Sequence, residues 1–432
     1  MRSTPPTAAS AGAPAAEVHR AIETVWRIES ARLIAGLARV VRDVGLAEDL
    51  AQDALVAALR QWPQSGVPER PGAWLMSIGK RRAIDLLRRD AVLDRKQEEL
   101  GRDLEAFAPD GDLAAVEDEP EEIADDLLRL IFTACHPVLT IDARVALTLR
   151  LLGGLATDEI ARAFLAPEPT VAQRIVRAKR TLASAKVPYE VPRGEDLRAR
   201  LPAVLEVIYL IFNEGYAATA GEDWMRPALC EEALRLGRVL AELARNEAEV
   251  HGLVALMEIQ ASRSRARLGP GGAPVLLLEQ NRALWDQLLI RRGLAALGRA
   301  QALGGAQGSY ALQAAIAACH ARATTPDATD WPRIAALYAE LAGVAPSPVV
   351  ELNRGVALAM AFGPAAGLEV VDALRGEPVL AGYHLLPSVR GDLLAKLGRL
   401  SEAAKEFRQA AALTRNARER DLLLNRATAC SA

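Results

Sequence analysis

One polar helical face over positions 170–181 carries the side chains best suited to chemistry in this sequence. The residues that recur at helical spacing on one side are apolar and would face a core: Val171, Ile175, Ala178 and Leu182. The opposite side then presents hydroxyl, amide and guanidinium groups, from Thr170, Gln173, Arg174, Arg177, Arg180 and Thr181. Arg and Gln can each form two parallel hydrogen bonds to a base edge, and the neighbouring Lys179 and Lys186 can neutralise phosphates. The pattern predicts a helix that reads a DNA groove; the alternative is an ordinary amphipathic helix with a solvated basic face.

The segment before this face completes a helix-turn-helix pattern. Over positions 157–164, Thr157 can cap a helix, and the two acidic residues that follow it suit the positive end of the helix dipole. The packing side of this helix would consist of Ile160, Ala161 and Phe164. Pro167 and Pro169 then interrupt the pattern, and proline is tolerated in the first turn of a helix. We therefore expect the second helix to begin within this proline pair.

A second basic segment, over positions 73–89, combines cations with an aromatic ring. Its apolar residues can seat a helix: Leu75, Ile78, Leu86 and Leu87. Lys80, Arg81 and Arg82 spread positive charge around that helix, and Trp74 precedes them. Bases stack on aromatic rings while basic side chains follow the phosphate backbone, so this combination is suited to single-stranded DNA.

An amphipathic helix is also predicted upstream, over positions 45–59. Its polar side clusters acidic and amide groups: Glu48, Asp49, Gln52 and Asp53. Because an acidic patch repels nucleic acid, this helix is suited to a protein partner.

Three motifs, in this order along the chain, resemble the region 2 and region 4 pair of extracytoplasmic-function sigma factors, the bacterial promoter-specificity subunits of RNA polymerase. They are Leu46-Ala-Glu-Asp-Leu-Ala-Gln-Asp53, Ala73-Trp-Leu-Met-Ser-Ile-Gly-Lys-Arg-Arg-Ala-Ile-Asp85 and the helix-turn-helix. The resemblance covers roughly residues 18–186. It implies an all-α fold with a region 2 helical bundle and a region 4 helix-turn-helix.

The same resemblance implies roles for individual residues. The side chains at the polymerase-clamp contact would be Asp49, Gln52 and Asp53. Those that open and hold the −10 element as a single strand would be Trp74, Lys80, Arg81, Arg82 and Arg88. Those that contact the −35 element would be Thr170, Gln173, Arg174, Arg177, Lys179 and Arg180. Arg81 stands where Asn is usual, and Leu165 with Pro167 replaces the usual Gly and Ser of the turn, so promoter preference cannot be copied from relatives.

The charge balance differs sharply between segments. The whole chain has 52 basic and 55 acidic residues. Basic residues outnumber acidic ones by 13 to 10 over residues 1–93 and by 9 to 4 over residues 127–186. Residues 94–126, between these segments, have 3 basic and 14 acidic residues. Both predicted DNA-binding parts are thus basic, as a polyanionic partner requires. The acidic connector should be solvated and mobile. It serves as a soluble tether or, alternatively, shields a basic DNA face in the free protein or follows the nucleic-acid path near the polymerase active site.

The cysteines are scattered without metal-ligand spacing, at Cys135, Cys230, Cys319 and Cys430. Cys135 lies beside His136 and Pro137, where a buried thiol is favoured over metal binding. We predict no metal site, no cofactor and no catalytic residues. Residues 1–17, rich in Ala, Pro, Ser and Thr, should form a disordered tail and not a signal peptide. No segment qualifies as a membrane span, and we expect a cytoplasmic protein.

Residues 187–432 form an Ala- and Leu-rich extension with 27 basic and 27 acidic residues. The absence of alternating strand patterns predicts an all-helical domain. Residues 354–374 are echoed by residues 390–410 at an offset of 36 to 37, and small residues at matched positions would let two antiparallel helices pack closely. This repeat resembles tetratricopeptide-type helical hairpins, which implies a concave surface for a protein or peptide ligand.

Three stretches of the extension combine aromatic and polar residues, at positions 209–216, 280–286 and 383–384. A catalytic pocket is one interpretation, but no known nucleophile, base or phosphate-loop spacing accompanies them. Aromatic packing with hydrogen-bonded polar tips is the favoured interpretation.

The sequence as a whole predicts a non-enzymatic sigma factor that binds core RNA polymerase and promoter DNA and is regulated by its helical extension. The predicted parts are a tail at 1–17, region 2 at 18–93, an acidic linker at 94–126, region 4 at 127–186 and the extension at 187–432. The alternative is a helix-turn-helix transcription activator with a tetratricopeptide sensor domain, which would not account for residues 45–89.

Overall fold

The chain folds almost entirely into α-helices. The computed structural model describes residues 12–98, 120–164, 166–218, 220–221 and 223–431. The chain separates into two compact units, one made of Met1–Arg162 with Ala166–Val207 and the other of Ile208–Ala432 with Ala163–Leu165. The all-α fold class predicted from the sequence is confirmed.

The first unit combines a long three-helix set with a set of shorter helices. The long set is α1 (Gly12–Val41), α2 (Val44–Ser65) and α3 (Pro71–Glu98), and the shorter set is α4 (Pro120–Ala134), α5 (Ile141–Leu151), α6 (Thr157–Ala163) and α7 (Glu168–Ser184). Helix α8 (Gly194–Tyr216) follows, and its residues 194–207 belong to this unit. Helices α1, α2 and α3 pack against one another, α4 packs on α1, and α5 contacts α4 and α7. Helix α7 also contacts α2, so the two sets are joined within one unit.

Helix α2 shows how the sequence defines an element of this unit. Asp43 accepts a hydrogen bond from the Leu46 backbone N–H at 2.8 Å and caps the start. Gly66, at a φ of 82°, ends the helix with its N–H bonded to the Trp62 carbonyl. The buried side of the helix is mostly alanine and large apolar residues, yet it also contains the carboxylate of Glu48.

The helix-turn-helix forms from α6 and α7. The residues of α7 predicted to face the core are the ones that are buried: Val171, Ile175, Ala178 and Leu182. Helix α7 starts at Glu168, inside the proline pair, as predicted. The cap assigned to Thr157 is wrong, because Thr157 is already the first helical residue. The backbone N–H of Ala156 instead donates to Glu159 Oε2 at 2.8 Å.

The second unit is a succession of helices that pack against their neighbours in the chain. In order they are α9 (Pro227–Leu243), α10 (Ala248–Ala261), α11 (Gln287–Ala302), α12 (Ser309–Arg322), α13 (Trp331–Val344), α14 (Pro348–Phe362), α15 (Pro364–Ala373), α16 (Leu385–Lys396), α17 (Leu400–Leu413) and α18 (Ala417–Ala429). The predicted repeat corresponds to two helical hairpins, α14 with α15 and α16 with α17. Gly367 allows the first to close tightly, since a Cβ there would lie 2.4 Å from the carbonyl oxygen of Gly355.

A loop near the start of this unit is fastened to a loop near its end. Strand β1 (Ala220–Gly221) pairs in parallel with strand β2 (Arg415–Asn416). The buried side-chain amide of Asn416 donates to the carbonyl oxygens of Ala218, at 3.1 Å, and Asp223, at 2.8 Å. These contacts therefore join the loop before α9 to the loop before α18.

Helix boundaries bear on two of the predicted parts. Helix α1 begins at Gly12, within the segment predicted as a tail, and residues 1–11 lie outside the described residues. Helices α3 and α4 reach into the predicted acidic linker from either side, and residues 99–119 lie outside the described residues. None of the described helices is long and apolar enough to cross a membrane.

Candidate nucleic-acid and protein interfaces

The outward face of α7 retains the polar groups that the sequence predicted. Exposed side chains project from it at Thr170, Gln173, Arg177 and Arg180. Among the described residues, none of these four side chains has a hydrogen-bond or ion-pair partner. Two guanidiniums, one amide and one hydroxyl are thus available on one helix face, which is the chemistry that base edges and phosphates accept.

Two other residues of the predicted −35 set are already engaged. Arg174 Nη2 lies 3.3 Å from Asp142 Oδ2 on α5, in an exposed pair. Lys179 is turned away from solvent, and its Nζ lies 2.5 Å from Glu48 Oε2 on α2. The predicted DNA face is therefore divided between free side chains and side chains held by the protein itself.

Glu48 is the centre of a buried charged cluster. Its side chain is 2% exposed, and Oε1 accepts hydrogen bonds from Arg150 Nε and Gln52 Nε2, each at 2.6 Å. Burial alone would raise the pKa of the Glu48 carboxyl, but the charges and hydrogen bonds of Lys179 and Arg150 outweigh it and hold the pKa below its ordinary value. We call Glu48, Gln52, Arg150 and Lys179 the Glu48 cluster. It joins α2 to α5 and α7.

The residues predicted to contact the polymerase lie at the edge of this cluster. Asp49 is exposed, with its Oδ1 3.9 Å from Lys179 Nζ, and Gln52 donates to Glu48. Asp53 forms a 2.7 Å ion pair with Arg82, a residue predicted to contact the −10 element. The sequence grouped Glu48 with this outward polar side, and the structure shows instead that Glu48 points inward.

The predicted −10 set is spread along α3. Arg81 and Arg88 are exposed, whereas Lys80 and Arg82 are half-buried. Trp74 packs its ring edge against Trp62, with the ring centroids 5.3 Å apart. The helix thus presents cations beside one half-buried indole, as the sequence predicted.

A basic cleft of about 720 Å³ adjoins the last turn of α7. Its lining includes the cations Arg39, Arg42, Arg129, Lys179 and Lys186. Behind it, buried Asp126 is paired with Arg39 at 3.3 Å and Arg129 at 2.5 Å. Arg42 and Lys186 remain unpaired among the described residues, and they extend positive potential from α7 toward α1.

Cys135 is buried, as predicted, and its Sγ lies 3.4 Å from the Thr148 hydroxyl. Burial raises the pKa of this thiol to about 11. The side chain is therefore a neutral packing group at physiological pH.

Comparisons with known families match three parts of the chain. Sigma-70 region 2 matches residues 28–92, Sigma-70 region 4 matches residues 129–182, and a family of unknown function (DUF6596) matches residues 200–301. The two sigma matches coincide with the long helical set and with the helix-turn-helix.

The chain contains Sigma-70 region 2 and region 4 domains and is similar to extracytoplasmic-function sigma factors. It carries, in addition, a long helical carboxy-terminal extension. The matched sigma regions belong to transcription initiation factors, which are not enzymes.

Curated relatives extend this likeness to different degrees. The "Uncharacterized protein R00370" of Rhizobium meliloti is 43% identical over 392 residues, which span 89% of each chain. The "Probable ECF RNA polymerase sigma factor SigI" of Mycobacterium tuberculosis is 27% identical over 171 residues, or 39% of this chain and 57% of the relative. The "RNA polymerase sigma-H factor" of Pseudomonas aeruginosa is 27% identical over 157 residues, or 36% of this chain and 81% of the relative. The first relative therefore shares the extension, and the other two share the sigma part.

Proposed function

We propose that the protein binds core RNA polymerase and directs promoter-specific initiation by recognising −10 and −35 elements. The observation that carries this proposal is the outward face of α7, opposite a buried apolar stripe. On that face Gln173, Arg177 and Arg180 are exposed and have no partner in the described part of the chain. Bidentate donors on a helix of this kind suit the major groove. Such a role places the protein with polymerase and DNA in the cytoplasm.

The proposed polymerase contact is the exposed edge of α2 at Asp49, Gln52 and Asp53. These groups combine two carboxylates with an amide on a solvated surface, which suits a polar protein interface. Because Gln52 also donates to Glu48, a partner that takes up Gln52 acts directly on the Glu48 cluster. Polymerase binding and the release of Lys179 for DNA are therefore coupled through one carboxylate.

The proposed −10 contact uses the exposed cations of α3. Arg81 and Arg88 can follow a phosphate backbone, and Trp74 offers a ring beside them. Arg82 must leave Asp53 before it can do the same, so this contact too is linked to the polymerase surface.

Run-off transcription with purified core polymerase tests the proposal. We expect Arg177→Ala with Arg180→Ala to abolish promoter-dependent transcripts while helicity is retained, because neither side chain has a partner among the residues that the structure describes. The matched control is Arg193→Ala, an exposed and unpaired Arg in the same unit but outside α7. A chain that stimulates only polymerase already carrying another sigma factor is instead the helix-turn-helix activator with a tetratricopeptide sensor.

Asp49→Arg with Gln52→Ala tests the polymerase contact separately. The double variant should lose core association in co-purification, since a repulsive charge replaces an attractive one at a solvated surface. Undiminished co-purification would remove this surface from the proposal.

We also propose that the extension regulates the sigma part and is required for its activity. Residues 194–207 of α8 belong to the first unit, where Arg200 donates to the carbonyl oxygen of Phe132 at 2.6 Å. Truncation after Val207 keeps these contacts, whereas truncation after residue 190 removes them. The longer truncated chain should keep its helicity and lose promoter output. A rise in output would mean autoinhibition, and wild-type output from a folded protein would refute a regulatory role.

A further inference from the structure

Three arginines of the second unit alternate with aromatic rings in a continuous row. Arg267 Cζ lies 3.7 Å from the centroid of the Tyr216 ring and 5.7 Å from that of Trp224. Arg263 Cζ lies 5.7 Å from the Tyr216 ring and 5.8 Å from the Trp285 ring. Arg282 Cζ lies 4.9 Å from the centroid of the same Trp285 ring. We call these six side chains the guanidinium ladder.

Within the described part of the chain, the ladder has no anionic counterpart. Among the described residues, no carboxylate lies within ion-pair distance of Arg263, Arg267 or Arg282. The nearby buried carboxylates are committed to other cations: Glu258 to Arg238 at 2.7 Å, and Glu214 to Arg226. Three half-buried positive charges thus lie together with no counter-charge from the residues that the structure describes, and partial burial makes such an arrangement unfavourable.

His320 lies within the positive electrostatic field of Arg263 and Arg282. Its pKa is lowered to about 4, first by burial and then by the charges of Arg263 and Arg282. The imidazole is therefore neutral at physiological pH and can accept or donate a hydrogen bond.

Polar atoms around the ladder are also left without partners. Trp285 Nε1, Gln280 Oε1 and His320 Nδ1 make no hydrogen bond among the described residues, although their side chains are only 4%, 6% and 8% exposed. Native proteins seldom leave buried donors and acceptors unpaired. The favoured interpretation of the sequence, in which aromatic residues here have hydrogen-bonded polar tips, is thus wrong for Trp285.

A purely structural role accounts for only part of the ladder. Arg282 donates to the carbonyl oxygens of His320 and Ala323 and to the Thr329 hydroxyl, which explains its presence. Arg263 donates to the Tyr216 hydroxyl at 2.6 Å. Arg267 makes no side-chain hydrogen bond among the described residues. Its guanidinium lies near the Tyr216 and Trp224 rings.

We propose that the guanidinium ladder is a binding site for a phosphate-bearing small molecule. A phosphate carries up to two negative charges and three acceptor oxygens at neutral pH, whereas a carboxylate brings one charge to three guanidiniums. The unpaired donor of Trp285 can supply a further hydrogen bond to such a group. The site belongs to the extension and does not depend on the proposed promoter recognition.

Isothermal titration of the full-length protein tests the site, with pyrophosphate and ATP as probes at constant ionic strength. Both should bind saturably to the wild type. Arg267→Gln should weaken binding by about tenfold or more, as expected for the loss of a charged hydrogen-bonding contact. Trp285→Phe keeps an aromatic ring beside the guanidiniums but removes the indole N–H, and it should also weaken binding. Circular dichroism confirms that each variant is folded, and should Arg267→Gln unfold, Trp285→Phe carries the test.

The matched control is Arg292→Gln, which removes the same charge from an exposed position on α11. It should bind both probes as the wild type does. Failure of both probes to bind the wild type, or an equal loss in the control, would overturn the site. Equal binding of glutamate would overturn the assignment to phosphate. Transcription is no part of the readout, so failure here leaves promoter recognition untouched, and the reverse also holds.

Discussion

The Glu48 cluster and the guanidinium ladder both bring cationic side chains together with buried polar groups, but among the described residues only the cluster pairs its cations with a carboxylate. In the cluster, one carboxylate accepts from Arg150 and Gln52 and pairs with Lys179. In the ladder, Arg263 and Arg267 meet rings and a hydroxyl, with no carboxylate among the described residues. Buried charge is tolerated where it is paired, so the first arrangement holds helices together and the second is completed by an anion.

Removing the carboxylate of the Glu48 cluster should have the largest effect. Glu48→Ala leaves Arg150 and Lys179 facing each other without a counter-charge, and loss of one partner of a buried pair costs about 3–5 kcal/mol. Urea unfolding followed by far-ultraviolet circular dichroism measures the loss in the first unit.

The control for this change is Glu190→Ala, which removes an exposed carboxylate without an ion pair in the same unit. Its unfolding free energy should change by no more than about 0.5 kcal/mol. If the two variants lose the same free energy of unfolding, the buried Glu48 carboxylate contributes no more to stability than an exposed carboxylate does.

Acid should affect the two sites over different pH ranges. The pKa of His320 is about 4 in the folded state against an ordinary 6.5, so between these values the unfolded state binds the extra proton and stability falls as pH falls. The loss is on the order of 2 kcal/mol between pH 6.5 and pH 5. The pKa of Glu48 is lowered from 4.5, so its contribution is complete above that pH and is lost only as pH falls through the lower folded value.

Urea unfolding at pH 7 and pH 5 measures this difference. His320→Gln should remove the decrease that we assign to this side chain in the second unit, because a glutamine side chain does not take up a proton in this pH range. A decrease of the same size in His320→Gln would assign the acid sensitivity to another group.

A free and an engaged arginine on α7 should differ in their effects on DNA binding. Arg177 has no partner among the described residues, so Arg177→Ala should cost about 1–3 kcal/mol on a −35 duplex and relax preference at one base pair. Arg174 is paired with the exposed Asp142, and such a contact contributes at most about 1 kcal/mol. Because Arg174 must break this ion pair before it can contact DNA, Arg174→Ala should reduce the binding free energy by correspondingly less than Arg177→Ala does.

Fluorescence anisotropy at fixed salt, on the −35 duplex and on a random duplex, compares the two variants. Asp142→Ala releases Arg174 and should bring the effect of Arg174→Ala up to that of Arg177→Ala. An equal loss on both duplexes would make Arg177 a phosphate contact only.

Local periodicity determined what could be predicted from the sequence. The register of α7 followed from Val171, Ile175, Ala178 and Leu182, because helical spacing is a property of adjacent turns. The α14 and α15 hairpin followed from repeated small residues for the same reason. The cap at Thr157 failed because the helix starts one residue earlier than the pattern predicted, and a pattern of residue types does not define a helix end to a single position.

Long-range pairing determined what could not be predicted. Glu48 and Arg150 are separated by 102 positions, so nothing near Glu48 distinguishes it from the exposed Asp49 beside it. The ladder likewise assembles Tyr216, Arg263 and Arg282 from different loops and helix ends. An unpaired Trp285 N–H is visible only once its surroundings are known.

The smallest expected effect separates two neighbouring cations of α7 by salt dependence. Arg180 is exposed and has no partner among the described residues, so Arg180→Ala should reduce the slope of log affinity against log salt by about one. Lys179→Ala should weaken binding to all DNA sequences alike and should reduce this slope by less than Arg180→Ala does. The reason is that Lys179 leaves the Glu48 carboxylate when it contacts a phosphate, so fewer counter-ions are released. In a Glu48→Gln background that exchange is absent, and Lys179→Ala should then shallow the slope as much as Arg180→Ala does. Identical slopes for Lys179→Ala in both backgrounds would show that Lys179 stays within the Glu48 cluster when DNA is bound.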